Sequence, residues 1–403
     1  MTQEKLAIDG GTPVRLKPFP AWPIHGEEEE KLILEVVRSG KWNGTAGKVM
    51  LQQLEDRFAA MHGARHGIAV VNGTLGLTAA LQAAGVGPGD EVIMPPYTFI
   101  ATASSALLFG AIPVFVDVEP GTLLLDPNLV EAAITPRTKA IVAVHIAGAP
   151  ADLPRLQAIA REHGLRLIED AAQGVGAELD GVPVGAVGDA GSFSFQMGKN
   201  VTAGEGGLIL TNDDALADGI WSLANVGRVR QGAWYQHERI GWNLRMTEFQ
   251  AAILLAQLGR FDEQFRRRER SAALLNELLQ AVDGIRVTPR DPRINKHAQH
   301  FYMLHLEPDL AARIGKEQII RMLRAEGIPA LPGYVSLNLN RAIIDDIKKW
   351  TGEERSWHCP VSERASGSEV LWLQQSVLLG DEADMHDIAR AVRKVMAVAI
   401  DRE

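Results

Sequence analysis

Cysteine is nearly missing from this 403-residue chain: Cys359 stands alone. A single thiol excludes an internal disulfide framework and any cysteine-based zinc site. Basic charge is in deficit, with 41 Lys and Arg against 50 Asp and Glu for a net charge of −9. Nothing in that balance argues for a nucleic-acid partner. Long apolar runs are lacking too. The longest uncharged stretch lies between Glu91 and Asp117 and is interrupted by Pro95, Pro96, Gly110 and Pro113. A membrane-spanning helix needs a cleaner run of about 20 apolar residues. The opening MTQEKLAIDGG offers no apolar segment fit for a signal peptide. What remains is 46% hydrophobic and 23% charged residues, a globular composition able to bury a sizeable core. The expectation is a soluble, cytoplasmic, enzyme-sized protein with no membrane, nucleic-acid or metal partner.

The first two-thirds alternate strand and helix signals. HGIAVV is a short β-branched strand, followed by the turn NGT and a helix of small and apolar residues, LGLTAALQAAG. DEVIMPP, IPVFVDV, TKAIVAVH and LRLIED read as further strands, with ATASSALLFGA and LPRLQAIAREHG as helices between them. Short, continuously apolar strands separated by helices predict an α/β fold with a mainly parallel sheet covered on both faces. In such sheets ligands collect beyond the carboxyl ends of the strands. Asn72-Gly73-Thr74, Tyr97-Thr98-Phe99, His145 and Asp170 all follow strands directly.

From Glu248 a long helical pattern begins, with Gly259 as a bend, and beyond it come IRVTP, FYMLHLEP, KEQIIRMLRAEG and DMHDIARAVRKVMAVAI. These predict a smaller α+β domain. The boundary is set at a large domain of residues 1–258 and a linker helix with small domain at 259–403. Arg266, Arg267, Arg268 and Arg270 are read as one solvated helix face, with Glu263 and Glu269 nearby.

Lys199 lies in SFSFQMGKNVTAGEGG, after a strand and before Gly204, Gly206 and Gly207. Twenty-nine residues earlier, Asp170 ends LRLIED, where its carboxylate can enter the strand-end crevice. The bland role for Asp170 is a helix N-cap. A lysine and an aspartate opening on one crevice instead fit a pyridoxal phosphate site, in which the amine forms a Schiff base and the carboxylate keeps the pyridine nitrogen protonated. Gly73 and Thr74 open a helix directly after a strand, where free amides and the helix dipole favour an anion such as the cofactor phosphate. Ser194 adds a hydroxyl.

NGTLGL (72–77), PPYTFIATA (95–103), VFVDV (114–118), VHIAGAPAD (144–152), IEDAAQGVGA (168–177), FSFQMGKNVTAGEGG (193–207), GWNLRMTEFQAA (241–252) and CPVSERASGSEVLWLQQSVLLG (359–380) together resemble the DegT/DnrJ/StrS family of pyridoxal-phosphate sugar aminotransferases, of the aspartate-aminotransferase fold. The resemblance runs from about Leu6 to the C-terminus. It implies that Lys199 binds the cofactor and later moves a proton, and that Asp170 pairs with the ring nitrogen. It gives Gln173 to the phenolic oxygen and Phe99 to stacking on the ring. Ser194 with the amides of Thr74 and Leu75 is assigned to the phosphate. Asn243, in GWNLRM, matches an asparagine supplied by the partner subunit, so a homodimer with its site at the interface is implied. His145 and Trp42 also match family positions and are not counted as site residues.

The implied reaction moves nitrogen from L-glutamine or L-glutamate, through pyridoxamine phosphate, to a keto-sugar or keto-cyclitol. LAIDGGTPVR with the lysine segment looks closer to the scyllo-inosose branch than to the nucleotide-sugar branch. Leu75 departs from the small residue usual there, and Leu331–Trp350 departs more. The competing readings are a 3-amino-5-hydroxybenzoate synthase and a regulatory protein of this fold without turnover. A cysteine desulfurase is disfavoured by the position of Cys359. A nicotinamide dehydrogenase is disfavoured because no G-x-G-x-x-G follows the first strand.

Overall fold

The apolar strand runs assemble into a seven-stranded sheet. Its members are β1 (His66–Val70), β2 (Glu91–Met94), β3 (Ile112–Phe115), β4 (Thr138–Val144), β5 (Arg166–Asp170), β6 (Ala190–Ser194) and β7 (Gly207–Thr211), in the spatial order β1-β7-β6-β5-β4-β2-β3. This is a computed structural model describing residues 4–44 and 47–401. β3, β2, β4, β5 and β6 pair in parallel, and β7 runs antiparallel to both β6 and β1. β1 therefore shares the direction of the other five, and the carboxyl ends of β1, β2, β4, β5 and β6 meet at one edge of the sheet. This is the expected fold class.

Side chains along each strand alternate between two cores, as a pleat requires. In β4, Ile141 and Ala143 enter one cluster while Ala140, Val142 and Val144 enter the other. Ile93 and Leu167 join the first, and Val92, Met94 and Ile168 the second. Both faces are thus covered, which is why the strands read as unbroken apolar runs.

A three-stranded antiparallel sheet follows, with β9 (Phe301–Leu306) between β8 (Ile285–Val287) and β10 (Val370–Gln374). A third apolar cluster, including Leu275, Leu304, Ile319, Leu371 and Met385, sits against it. Leu6 belongs to this same cluster, so the N-terminal arm packs on the C-terminal part of the chain. Arg15 fixes the arm there through Asp384 (2.8 Å) and Asp387 (2.9 Å). The buried Glu326 accepts the Ala7 and Val14 amides at 2.8 and 3.0 Å.

The bend expected at Gly259 is a break between two helices, Glu248–Gly259 and Phe261–Leu279, centred one residue on at Arg260 (φ −109°, ψ 3°), whose guanidinium reaches Glu29 at 3.0 Å. Two local expectations are corrected. Arg268 is not on the solvated face of the second helix. It is fully buried, its Nε donates to Gln375 Oε1 at 2.8 Å, and its guanidinium lies over the Trp22 ring. Burial pushes its pKa down to about 9. Asp117 lies beyond the end of β3, and its carboxylate accepts the Val361 and Ser362 amides at 2.8 and 3.0 Å, a structural tie across the chain.

Candidate active site

The sheet edge where five strands end is hollowed into a cavity of about 580 Å³. Its lining includes Gly73, Thr74, Phe99, Asp170, Gln173, Ser194 and Lys199. Seven of the nine residues expected at the site are therefore brought together, from four separate segments at the ends of β1, β2, β5 and β6.

The helix after β1 spans Gly73–Ala83. The Asn72 side chain caps it by accepting the Leu75 amide at 2.9 Å. This corrects the assignment of Leu75: its amide is already used and the residue does not line the cavity. Among the described residues, no hydrogen bond takes the amides of Gly73 or Thr74, the first two turn-opening donors. A Cβ on Gly73 would come within 2.9 Å of Ser194 Cβ, so only glycine lets the helix start sit against the end of β6.

Asp170 closes β5 with its carboxylate aimed into the same space. Oδ2 accepts from the Thr102 hydroxyl at 2.7 Å and Oδ1 from the Ala172 amide at 3.2 Å. Those two donors orient a buried carboxylate while leaving it free to meet a further donor. Gln173 is fixed by the Ala147 amide, which donates to Oε1 at 2.7 Å. Its Nε2 is consequently the cavity-side atom and donates to Tyr334 Oη at 3.2 Å. Phe99 is half exposed, with its ring 6.1 Å from that of Tyr334.

Lys199 sits in a loop that folds back on β6: the Ala203 amide donates to Phe195 O at 3.1 Å, and Phe195 N donates to Gly206 O at 2.8 Å. Gly204 makes the return at φ +80°, a conformation glycine adopts without strain. The Lys199 amine donates no hydrogen bond to the described residues. Loss of solvation brings its pKa down to about 8, against the opposing pull of the Asp170 charge.

Residues 23–393 match the DegT/DnrJ/EryC1/StrS aminotransferase family. The chain belongs to that family. An L-glutamine:2-deoxy-scyllo-inosose aminotransferase of Streptoalloteichus tenebrarius is 41% identical to this aminotransferase, with 97% of each chain covered. A putative L-glutamine:3-amino-2,3-dideoxy-scyllo-inosose aminotransferase of the same organism is 39% identical, with 98% of each covered. The crystal structure of 3-amino-5-hydroxybenzoic acid (AHBA) synthase superposes with a TM-score of 0.86 at 36% identity, covering 96% of this chain and 99% of that one.

Asn243 lies outside the cavity of its own chain. It is exposed and pairs by backbone with Asn225. His145 is fully buried and structural: Nδ1 accepts the Ala151 amide at 3.0 Å and Nε2 faces Glu169 Oε2 at 3.0 Å. Trp42 packs near Phe249, and Cys359 is buried with its thiol pKa pushed up to about 12 by burial and the Asp117 and Glu363 charges. Neither Trp42 nor Cys359 lines the cavity.

Several lining residues carried no signal of their own in the sequence, namely Glu205, His300, Phe301 and Gln374, and neither did Thr102, which orients Asp170 from behind the wall. Tyr334 comes from the segment that departs from the family pattern. The PGY turn at 332–334 marks an aromatic after a bend, and a Cβ on Gly333 would strike Tyr97 Oη at 2.8 Å. Among the described residues, no helix is long and apolar enough to cross a membrane.

Proposed function

We propose that this enzyme transfers the amino group of L-glutamine to the ketone of a polyhydroxylated ring of the scyllo-inosose type, using pyridoxal 5'-phosphate. The observation that carries the reading is the meeting of Lys199 and Asp170 in one cavity whose rim presents the unused amides of Gly73 and Thr74. The residues fit the cofactor. A carboxylate already oriented by Thr102 and Ala172 suits a ring nitrogen, Gln173 Nε2 suits a phenolic oxygen, and Phe99 offers a face for the ring. The phosphate falls to Gly73, Thr74 and Ser194. When bound, the cofactor supplies the aldehyde that accepts nitrogen and the electron sink that lets the substrate carbon lose a proton.

The chain's own part is positional and acid–base. A lysine amine near pKa 8 is partly unprotonated at neutral pH, so Lys199 Nζ can remove the proton from the donor's α-carbon and return it elsewhere. The carboxylate of Asp170 holds a positive charge opposite it. Gln196, Glu205 and Gln374 line the outer cavity and suit a ligand rich in hydroxyls. The glutamine donor and cyclitol acceptor are supported by the relatives at 41% and 39% identity.

The active unit in this proposal is a dimer, with Asn243 of a second copy completing the phosphate site. The exposed segment preceding it carries Trp234 (81% exposed), Tyr235 (76%) and Ile240 (95%), apolar surface suited to burial against another copy.

The test is spectroscopic. Protein loaded with pyridoxal phosphate is titrated with L-glutamine and, separately, with L-glutamate. Loss of the visible band with glutamine, and its return on adding scyllo-inosose, is expected. A band that neither amino acid changes sinks the reading. The likeness to AHBA synthase favours a second reading, in which amination is coupled to dehydration of the ring. An aromatic product with its own ultraviolet absorbance would select it.

A further inference from the structure

His300 stands at the entrance of β9 on the cavity wall, and nothing in the cofactor assignment uses it. Its backbone amide donates to Ala147 O at 2.8 Å, which anchors it to the loop that also orients Gln173. Its ring is fixed by a short relay. Asn200, the neighbour of Lys199, donates from Nδ2 to Ala298 O at 2.6 Å. A backbone carbonyl can only accept, so the Asn200 amide has one permitted orientation and Oδ1 faces His300 Nδ1, 3.0 Å away. Nδ1 must then carry the proton. In a neutral imidazole this leaves Nε2 as a lone-pair acceptor. Burial, with the nearby charges of Lys199 and Arg268, keeps the ring neutral by holding its pKa well below the ordinary histidine range. Among the described residues Nε2 has no hydrogen-bond partner.

The wall beside it is aromatic. Phe301 stacks on Trp372 with centroids 4.2 Å apart and planes 22° from parallel, and Tyr334 meets Trp372 edge-on at 4.4 Å. Gln374 follows on the same wall. An aromatic surface edged by hydrogen-bonding groups suits a saturated ring with apolar C–H faces and equatorial hydroxyls. Resting on the transamination of a polyol ketone proposed above, we infer that His300 Nε2 accepts a hydrogen bond from a ring hydroxyl of the ketone acceptor. That makes His300 a specificity-determining residue of the second half-reaction.

Two substitutions separate its ring atoms. His300→Asn keeps a donor near the Nδ1 position for Asn200 and removes the Nε2 acceptor, whereas His300→Gln restores an oxygen near the Nε2 position. Cofactor-loaded wild type and both variants are compared in scyllo-inositol affinity by calorimetry, KM for scyllo-inosose, and the rate at which L-glutamine bleaches the visible band. His300→Asn is expected to weaken scyllo-inositol about 10-fold and to raise the ketone KM similarly. Its glutamine rate stays within about twofold, and His300→Gln regains most of the affinity. Unchanged polyol affinity in His300→Asn, an equal loss in the glutamine step, or no regain in His300→Gln overturns the inference. A wild type that ignores glutamine yet binds the polyol through His300 removes the donor reading and keeps this one.

Discussion

Two neighbours act on the Lys199 amine in opposite directions. Burial disfavours the ammonium and the Asp170 carboxylate favours it, and burial wins, leaving a pKa of about 8 against an ordinary lysine near ~10.4. An amine is nucleophilic only when unprotonated. Acetylation of Lys199 in cofactor-free protein, followed by peptide mass spectrometry, should therefore rise with pH through about 8. Asp170→Asn removes the opposing charge and should move that rise to lower pH. A half-rise at the ordinary lysine value would contradict the desolvated site. Lysine and aspartate were both legible in the sequence because each follows a strand on the edge where ligands gather. Thr102 was not, since a threonine inside a helix of small residues has no local mark of the carboxylate it will meet.

At the scale of the element, the helix Gly73–Ala83 is a close fit between two segments far apart in sequence. Gly73 faces Ser194, and Gly76 faces Ser192, whose hydroxyl a Cβ would approach to 2.5 Å. Gly73→Ala should push the helix start from β6 and weaken pyridoxal phosphate binding by about 10-fold, with overpacking costing roughly 1–3 kcal/mol of stability. Fluorescence titration with the cofactor and urea unfolding read the two effects separately. Unchanged affinity would mean that the amides of Gly73 and Thr74 do not hold the phosphate. The NGT turn revealed the helix start, because a strand followed by a capping residue and glycine has few other outcomes. The fate of the Leu75 amide was hidden, since it is consumed by the Asn72 side chain, which caps the helix two residues past the end of β1. The break at Arg260 was legible to within one residue, since Gly259 marked a bend there, but its contact with Glu29, more than two hundred residues away, was not.

The whole molecule brings the cavity to its final form by closing the C-terminal part of the chain over the sheet edge, which adds His300, Phe301, Tyr334 and Gln374 to the wall. Assembly supplies the last part of the proposal. If Asn243 completes the phosphate site of a second copy, Lys199→Ala and Asn243→Ala proteins should each be nearly inactive alone. Mixed after dissociation, they should recover about a quarter of wild-type activity, since half the dimers are hybrid and each hybrid holds one intact site. No recovery in a mixture shown by sedimentation to contain dimers would place Asn243 outside the site. GWNLRM showed that residue through the family pattern alone; within one chain it lies outside the cavity that Lys199 lines.

The sequence by itself determined the α/β class, the edge of the sheet that holds the cavity, and the Lys199–Asp170 pair that lines it. These follow from local rules: buried strands need continuous apolar runs, and ligand-facing residues sit where those runs stop. Only the tertiary structure decided which other side chains reach the cavity, the burial of Arg268 within an apparently solvated basic run, and the proton position on His300. Each of these depends on a contact between distant segments, and such contacts leave no periodic trace along the chain.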